Sequence, residues 1–172
     1  MSVQVIELSI TLLIIVNILA WLIIHVVLSY ICLRLPDSFY ETEKSKTDLK
    51  KWEHGLYKTV GIRKWKTILP DGGGVFRGGF RKKELKTLSA SYIRKFILET
   101  RRAELTHWIL IPPAMLFFLW NPPLVGWVMV GYALLVNIPF IMIQRYNRYR
   151  FKPLLRKQMK REQYRGTYDE SF

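Results

Sequence analysis

Several things are scarce in this 172-residue chain, and each scarcity excludes a class of chemistry. There is one cysteine, Cys32, so neither a disulfide framework nor a thiolate metal cluster can form within the chain. The three histidines, His25, His54 and His107, are scattered with no His-x-Glu-x-x-His or related ligand spacing, and no metal is expected. A Gly-x-Ser-x-Gly elbow is missing, as is the Gly-Lys-Ser/Thr of a P-loop. Carboxylates are few, 13 against 27 Lys and Arg, for a net charge of +14. Two long stretches, 8–33 and 108–143, contain no Lys, Arg, Asp or Glu at all.

Those uncharged stretches define the fold class. As a helix, 8–33 would extend about 39 Å at ~1.5 Å per residue, enough to cross a ~30 Å hydrocarbon core with tilt. A cleaved signal peptide fits less well, since no basic residue precedes the run and no small-residue cleavage site follows it. The expectation is an all-α integral membrane protein of one domain. Helix 8–33 spans, a basic cytoplasmic region 34–107 carries interfacial helices, 108–143 forms a transmembrane hairpin, and 144–172 is a basic tail. Asn121-Pro122-Pro123 reads as the hairpin turn, and Pro139 should kink the second arm. The first arm is short and holds Pro112-Pro113, which leaves open whether the hairpin spans or re-enters.

Charge sets the expected orientation. Residues 34–107 hold 18 Lys/Arg against 9 Asp/Glu, and 144–172 hold 9 against 3. All the basic residues therefore flank membrane segments on one side, which the positive-inside rule makes cytoplasmic, with the N-terminus outside a bacterial-type cell membrane. Leu49, Trp52, Leu56 and Val60 recur at helical spacing among Lys50, Lys51 and Lys58, and 62–69 reads as a second short helix after Gly61. Such pieces suit the headgroup zone. Basic runs also occur in nucleic-acid binders, but no nucleic-acid motif accompanies these, and membrane lipid is the expected partner.

Three segments carry candidate chemistry. In the glycine-rich loop 70–83, Arg77, Arg81, Lys82 and Lys83 offer a donor-phosphate site beside convergent backbone N–H groups, against the plainer reading of a surface loop. In a helix capped by Ser89 or Ser91, Glu104 and His107 are neighbours at i,i+3, with Arg101 one turn from Glu104. A carboxylate can orient an imidazole and stabilise its protonated form, as a general base acting on a hydroxyl requires; a solvated pair network is the alternative. In the third, Asn137, Gln144 and Arg148 share a helical face, and Asn137 lies deepest, so its amide needs a partner. Arg145, Arg148 and Arg150 suit a phosphate or a developing oxyanion, or simply anchor the chain.

The chain resembles the glycosyl-4,4′-diaponeurosporenoate acyltransferase family of staphyloxanthin-type carotenoid synthesis. The matching pieces are Arg-Leu-Pro-Asp at 34–37, Trp-Glu-His-Gly at 52–55, Arg-Lys-Trp-Lys at 63–66, Glu-Thr-Arg-Arg-Ala-Glu-Leu-Thr-His-Trp at 99–108, and Asn-Ile-Pro at 137–139 with Gln-Arg-Tyr-Asn-Arg at 144–148. The resemblance implies a membrane enzyme that esterifies the glucose primary hydroxyl of a glycosylated carotenoid with a fatty acyl group. The chain departs from the family pattern in the glycine content of 72–79 and at Tyr149, so another glycolipid acceptor is the variant reading. His107 is then the general base and Glu104 its orienter. Arg101, Arg145 or Arg148 stabilises the oxyanion or binds the donor, Asn137 and Gln144 position the sugar or complete the inner network, and Asn147 belongs to the same substrate-binding or oxyanion set. No cofactor is expected beyond an acyl thioester co-substrate, and homo-oligomerisation is left open. Two competing readings are a small membrane methyltransferase and a non-enzymatic lipid-binding or assembly module.

Overall fold

The computed structural model describes residues 6, 8–41, 51–66, 68 and 89–169, with backbone alone at 51, 54 and 165–169. The whole glycine-rich loop 70–83 lies outside these residues, and with it Arg77, Arg81, Lys82 and Lys83; so do Leu49 and Lys50. Among the described residues there is no strand. The elements are α1 (Ile10–Arg34), α2 (Asp37–Tyr40), α3 (Lys51–Thr59), α4 (Ile62–Trp65), α5 (Ala90–Ile109), a 3-10 helix (Pro112–Leu119) and α6 (Pro123–Asp169). The chain divides into two compact units, Met1–Leu35 with Ala103–Ile141, and Pro36–Arg102 with Met142–Phe172.

In the first unit, α1 is apolar all round. Its most apolar 18-residue window is only 6% buried, which a soluble core helix would not tolerate. Ile10, Ile18, Leu22 and Ile23 are all exposed, as are Leu124, Trp127, Val128 and Leu135 of α6. Apolar surface on this scale is stable only against lipid or protein. α1 and α6 are both long and apolar enough to cross a membrane. Trp21 of α1, Ala114 and Phe117 of the 3-10 helix and Ala133 of α6 form one buried cluster, the small alanines allowing close backbone approach.

An amide pair holds the turn. Asn17 Nδ2 donates to Asn121 Oδ1 at 2.9 Å, and Asn121 Nδ2 donates back to Asn17 Oδ1 at 2.8 Å. Trp120 Nε1 donates to the same Asn17 oxygen at 2.7 Å. This accounts for an asparagine in the middle of an apolar helix, where an unpaired amide would be expensive.

The short arm is not an α-helix. Pro112 and Pro113 have no N–H to give to the α5 carbonyls, so α5 stops at Ile109. The first bond beyond them, Ala114 N to Ile111 O at 3.1 Å, is already of the i→i−3 kind. The geometry has a use. From Pro123 to Asn137, α6 rises about 21 Å at ~1.5 Å per residue. The arm from His107 to Leu119 has two fewer steps and would rise about 18 Å as α-helix. Eight residues at ~2.0 Å each make up the difference.

Pro123 opens α6 at its first helical position, where a proline is favoured. The basic residues from 144 onward continue α6 without interruption to Asp169. Neither Pro139 nor Pro153 ends it. Beyond the apolar part, the sequence is rich in Arg, Lys, Leu, Met and Gln, all good helix formers.

In the second unit, Ser89 caps α5, its Oγ accepting the Tyr92 N–H at 3.4 Å. The Glu162 carboxylate accepts the Ala90 N–H at 3.0 Å, a favourable charge at a helix N-terminus. Gly61, at φ 66°, turns the chain from α3 into α4, which ends at Trp65, earlier than the expected 69. Tyr57, Ile62, Ile143 and Tyr146 form the core here. Trp52, Leu56 and Val60 remain exposed.

Candidate active site

The first unit places His107 beside Asn137. The ring Nδ1 lies 2.9 Å from Asn137 Oδ1, and Asn137 Nδ2 donates to the Ala133 carbonyl at 2.8 Å. These two bonds decide the tautomer. An amide whose NH₂ is given to a carbonyl has only its oxygen for the imidazole, so Nδ1 carries a proton and donates to it. The ring also stacks on Phe140, with centroids 4.7 Å apart and planes 9° apart. Asn137 is fully buried. The amide that needed a partner at depth has two.

Glu104 is buried as well, and its Oε1 accepts the Trp108 indole N–H at 3.3 Å. The bond that orients Nδ1 of His107 therefore comes from Asn137, thirty residues away, in addition to whatever Glu104 supplies one turn back. Nothing in helical spacing could have revealed it, though the costly amide at 137 was a signal that a polar partner existed.

The remaining candidates belong to the second unit. Arg145 pairs with buried Glu53 at 2.5 Å. Arg101 Nη1 donates to the Tyr40 carbonyl at 2.6 Å. Asn147 Oδ1 accepts from Lys66 at 3.3 Å. Arg148 is the largest fully buried side chain, and Gln144 is buried with its Oε1 unpartnered among the described residues.

A charge network that the sequence did not disclose fastens α2 to α5. Asp37 accepts from Lys95 at 2.8 Å and from Arg102 at 2.6 Å. Buried Glu99 pairs with Arg102 and, at 3.3 Å, with Lys95. The Arg102 guanidinium lies over the Tyr40 ring at 4.9 Å. The hydrogen bond from Lys95 and the charge of Arg102 hold the Asp37 carboxyl below the usual carboxylate range, although burial opposes them. Lys95 is correspondingly raised by its bond to Asp37. Burial works against the Arg102 charge, but Glu99 and Asp37 outweigh it and keep its pKa above the ordinary value.

Helices with exposed apolar surfaces define a membrane-associated helical protein. Residues 36–157 match the glycosyl-4,4′-diaponeurosporenoate acyltransferase family, and the chain belongs to that family. Proteins of that name from Staphylococcus aureus strains bovine RF122 / ET3-1 and MRSA252 are 37% and 36% identical to it over 139 residues, covering 79% of this chain and 84% of theirs. It is an acyltransferase, which sets aside methyl transfer and a purely structural role. No solved structure matches it.

Proposed function

We propose that the protein transfers a fatty acyl group from a thioester to a sugar hydroxyl of a glycosylated lipid at the cytoplasmic face of the membrane. The relatives' name supports a glycosyl-4,4′-diaponeurosporenoate acceptor, and with it a place in carotenoid synthesis. The observation that supports the mechanism is the hydrogen bond from His107 Nδ1–H to Asn137, which holds the ring, and we take Nε2 as the base.

Nε2 takes the proton from the sugar hydroxyl as its oxygen attacks the thioester carbonyl. The tetrahedral intermediate collapses by breaking the carbon–sulfur bond, and the imidazolium returns its proton to the departing thiolate. The stack on Phe140 restrains the ring so that less reorganisation accompanies each transfer. The buried Glu104 carboxylate, one turn away, favours the transient imidazolium. Arg101, Arg145 and Arg148 are proposed for the oxyanion or the donor, and Gln144 for the sugar. The unpartnered Gln144 oxygen supports an acceptor hydroxyl as its partner.

For topology we infer an outside N-terminus, α1 and the apolar part of α6 as spans, and the 3-10 arm reaching from the inner interface toward the Asn17 level. The test is a purified, reconstituted enzyme supplied with a labelled acyl thioester and a glycosylated carotenoid. Lipid mass spectrometry should find the acceptor heavier by one acyl group, joined as an ester to the sugar.

A further inference from the structure

Among the described residues of the second unit is a group of cations that no carboxylate answers. Lys66 follows α4, and its Nζ lies 5.3 Å from the centre of the Tyr146 ring. The Arg150 guanidinium lies 6.0 Å from the centre of the same ring. Asn147, between Tyr146 and Arg150 on α6, accepts one Lys66 N–H through its oxygen, which leaves its NH₂ as a further donor. Arg63 is within electrostatic reach of Lys66, as Arg150 is. None of Lys66, Arg63 and Arg150 forms an ion pair among the described residues, whereas Arg102, Arg145 and Lys95 in the same unit all do.

We propose that Lys66, Arg150 and Asn147, with Arg63 beside them, bind a phosphate group around Tyr146. A phosphate oxygen is the ligand chemistry that suits two or three convergent cations and an amide donor at once. Burial, together with the charges of Arg150 and Arg63, holds the Lys66 ammonium below the usual lysine pKa, the condition of a cation site awaiting an anion. Two sources share this chemistry: the phosphates of a soluble acyl carrier, or an anionic phospholipid headgroup. The first would make the cluster a donor site and rests on the acyl-transfer reading. Phosphate binding itself does not rest on it.

The test reads binding without turnover. The protein is placed in phosphatidylcholine nanodiscs, and the rate of amine acetylation at Lys66 is followed by peptide mass spectrometry, with exposed Lys58 and Lys157 as internal controls. Adenosine 3′,5′-bisphosphate is added in one arm, and phosphatidylglycerol is mixed into the bilayer in the other. Saturable protection of Lys66 alone is expected from at least one probe, about tenfold at ten times the half-saturating concentration. Protection by the bisphosphate identifies a soluble phosphate ligand; protection by phosphatidylglycerol alone identifies a headgroup. Arg150→Gln should raise the half-saturating concentration roughly tenfold, while Arg156→Gln, a turn and a half further along α6, should leave it unchanged. Unprotected Lys66 in both arms overturns the proposal, as does equal protection of all three lysines or indifference to Arg150→Gln. His107→Ala should keep the protection, so loss of the base and loss of the phosphate site are separately visible.

Discussion

At the residue scale, the pairing of His107 with Asn137 ties local geometry to rate. Asn137→Leu removes the acceptor that selects the tautomer and holds the ring. With the protein still folded, kcat should fall by about tenfold, the order expected for one hydrogen bond, with KM little changed. Glu104→Gln should do less, because an amide oxygen still accepts the Trp108 N–H. Steady-state kinetics of the two variants in the same bilayer makes the comparison. The sequence singled out all three residues, yet it could pair only those on the same helix. Contacts between positions 107 and 137 depend on the length of the arm that joins them, which composition does not specify. Asp37 was invisible for the same reason, since its partners Lys95 and Arg102 lie far along the chain.

The Asp37 network also predicts a pH response. The folded carboxyl has a lower pKa than the unfolded one, so the unfolded chain binds the proton more readily. Its stabilisation is complete above the unfolded pKa and is lost as pH falls through the folded value. Thermal unfolding in detergent should therefore shift to lower temperature on acidification below about pH 4. Asp37→Asn should flatten that dependence. Lys95 carries the opposite sign: raised in the folded state, it contributes fully at neutral pH and loses its effect only as pH rises through its folded pKa. The pair is thus intact across the physiological range.

At the scale of elements, apolar runs were easy to read and arm geometry was not. The first apolar helix was expected at 8–33 and runs Ile10–Arg34, because an uninterrupted uncharged run permits little else. The turn at Asn121-Pro122-Pro123 and the cap at Ser89 follow from proline and serine chemistry at known helix positions. The 3-10 form of 112–119 was hidden, since it answers to the rise of α6 beside it as well as to its own prolines. Close packing of that arm gives a prediction. A Cβ on Gly126 would lie 2.5 Å from the Phe118 ring, whereas one on Gly131 would meet nothing within 4 Å. Gly131→Ala should raise stability by up to ~1 kcal/mol through helix propensity. Gly126→Ala should lose about 1–2 kcal/mol relative to it through overpacking. Unfolding midpoints of the two variants measured side by side would expose an equal effect and so contradict the packing.

At the scale of the whole molecule, membrane association follows from the exposed apolar helices, and the acyltransferase activity follows from family. The orientation is a prediction of charge. Single cysteines placed near Met1, in the loop 72–79 and near Phe172, in a Cys32→Ala background, should react with an impermeant reagent in intact cells only near Met1. Labelling of the loop from outside would invert the topology and move the proposed site to the opposite face. Composition made the one-sided excess of Lys and Arg legible. It carried no information on which of those cations form ion pairs, as Arg102 and Arg145 do, and which form none among the described residues, as Lys66 does.

The most direct test of the central claim is acyl transfer by the reconstituted protein, comparing wild type with His107→Ala. Wild type should convert a glycosylated carotenoid and a fatty acyl thioester into the sugar ester, detected by lipid mass spectrometry. His107→Ala, shown to be folded and membrane-inserted, should turn over roughly 10²–10⁴-fold more slowly, the usual contribution of a general base. A folded His107→Ala protein that forms the ester at nearly the wild-type rate would contradict the account.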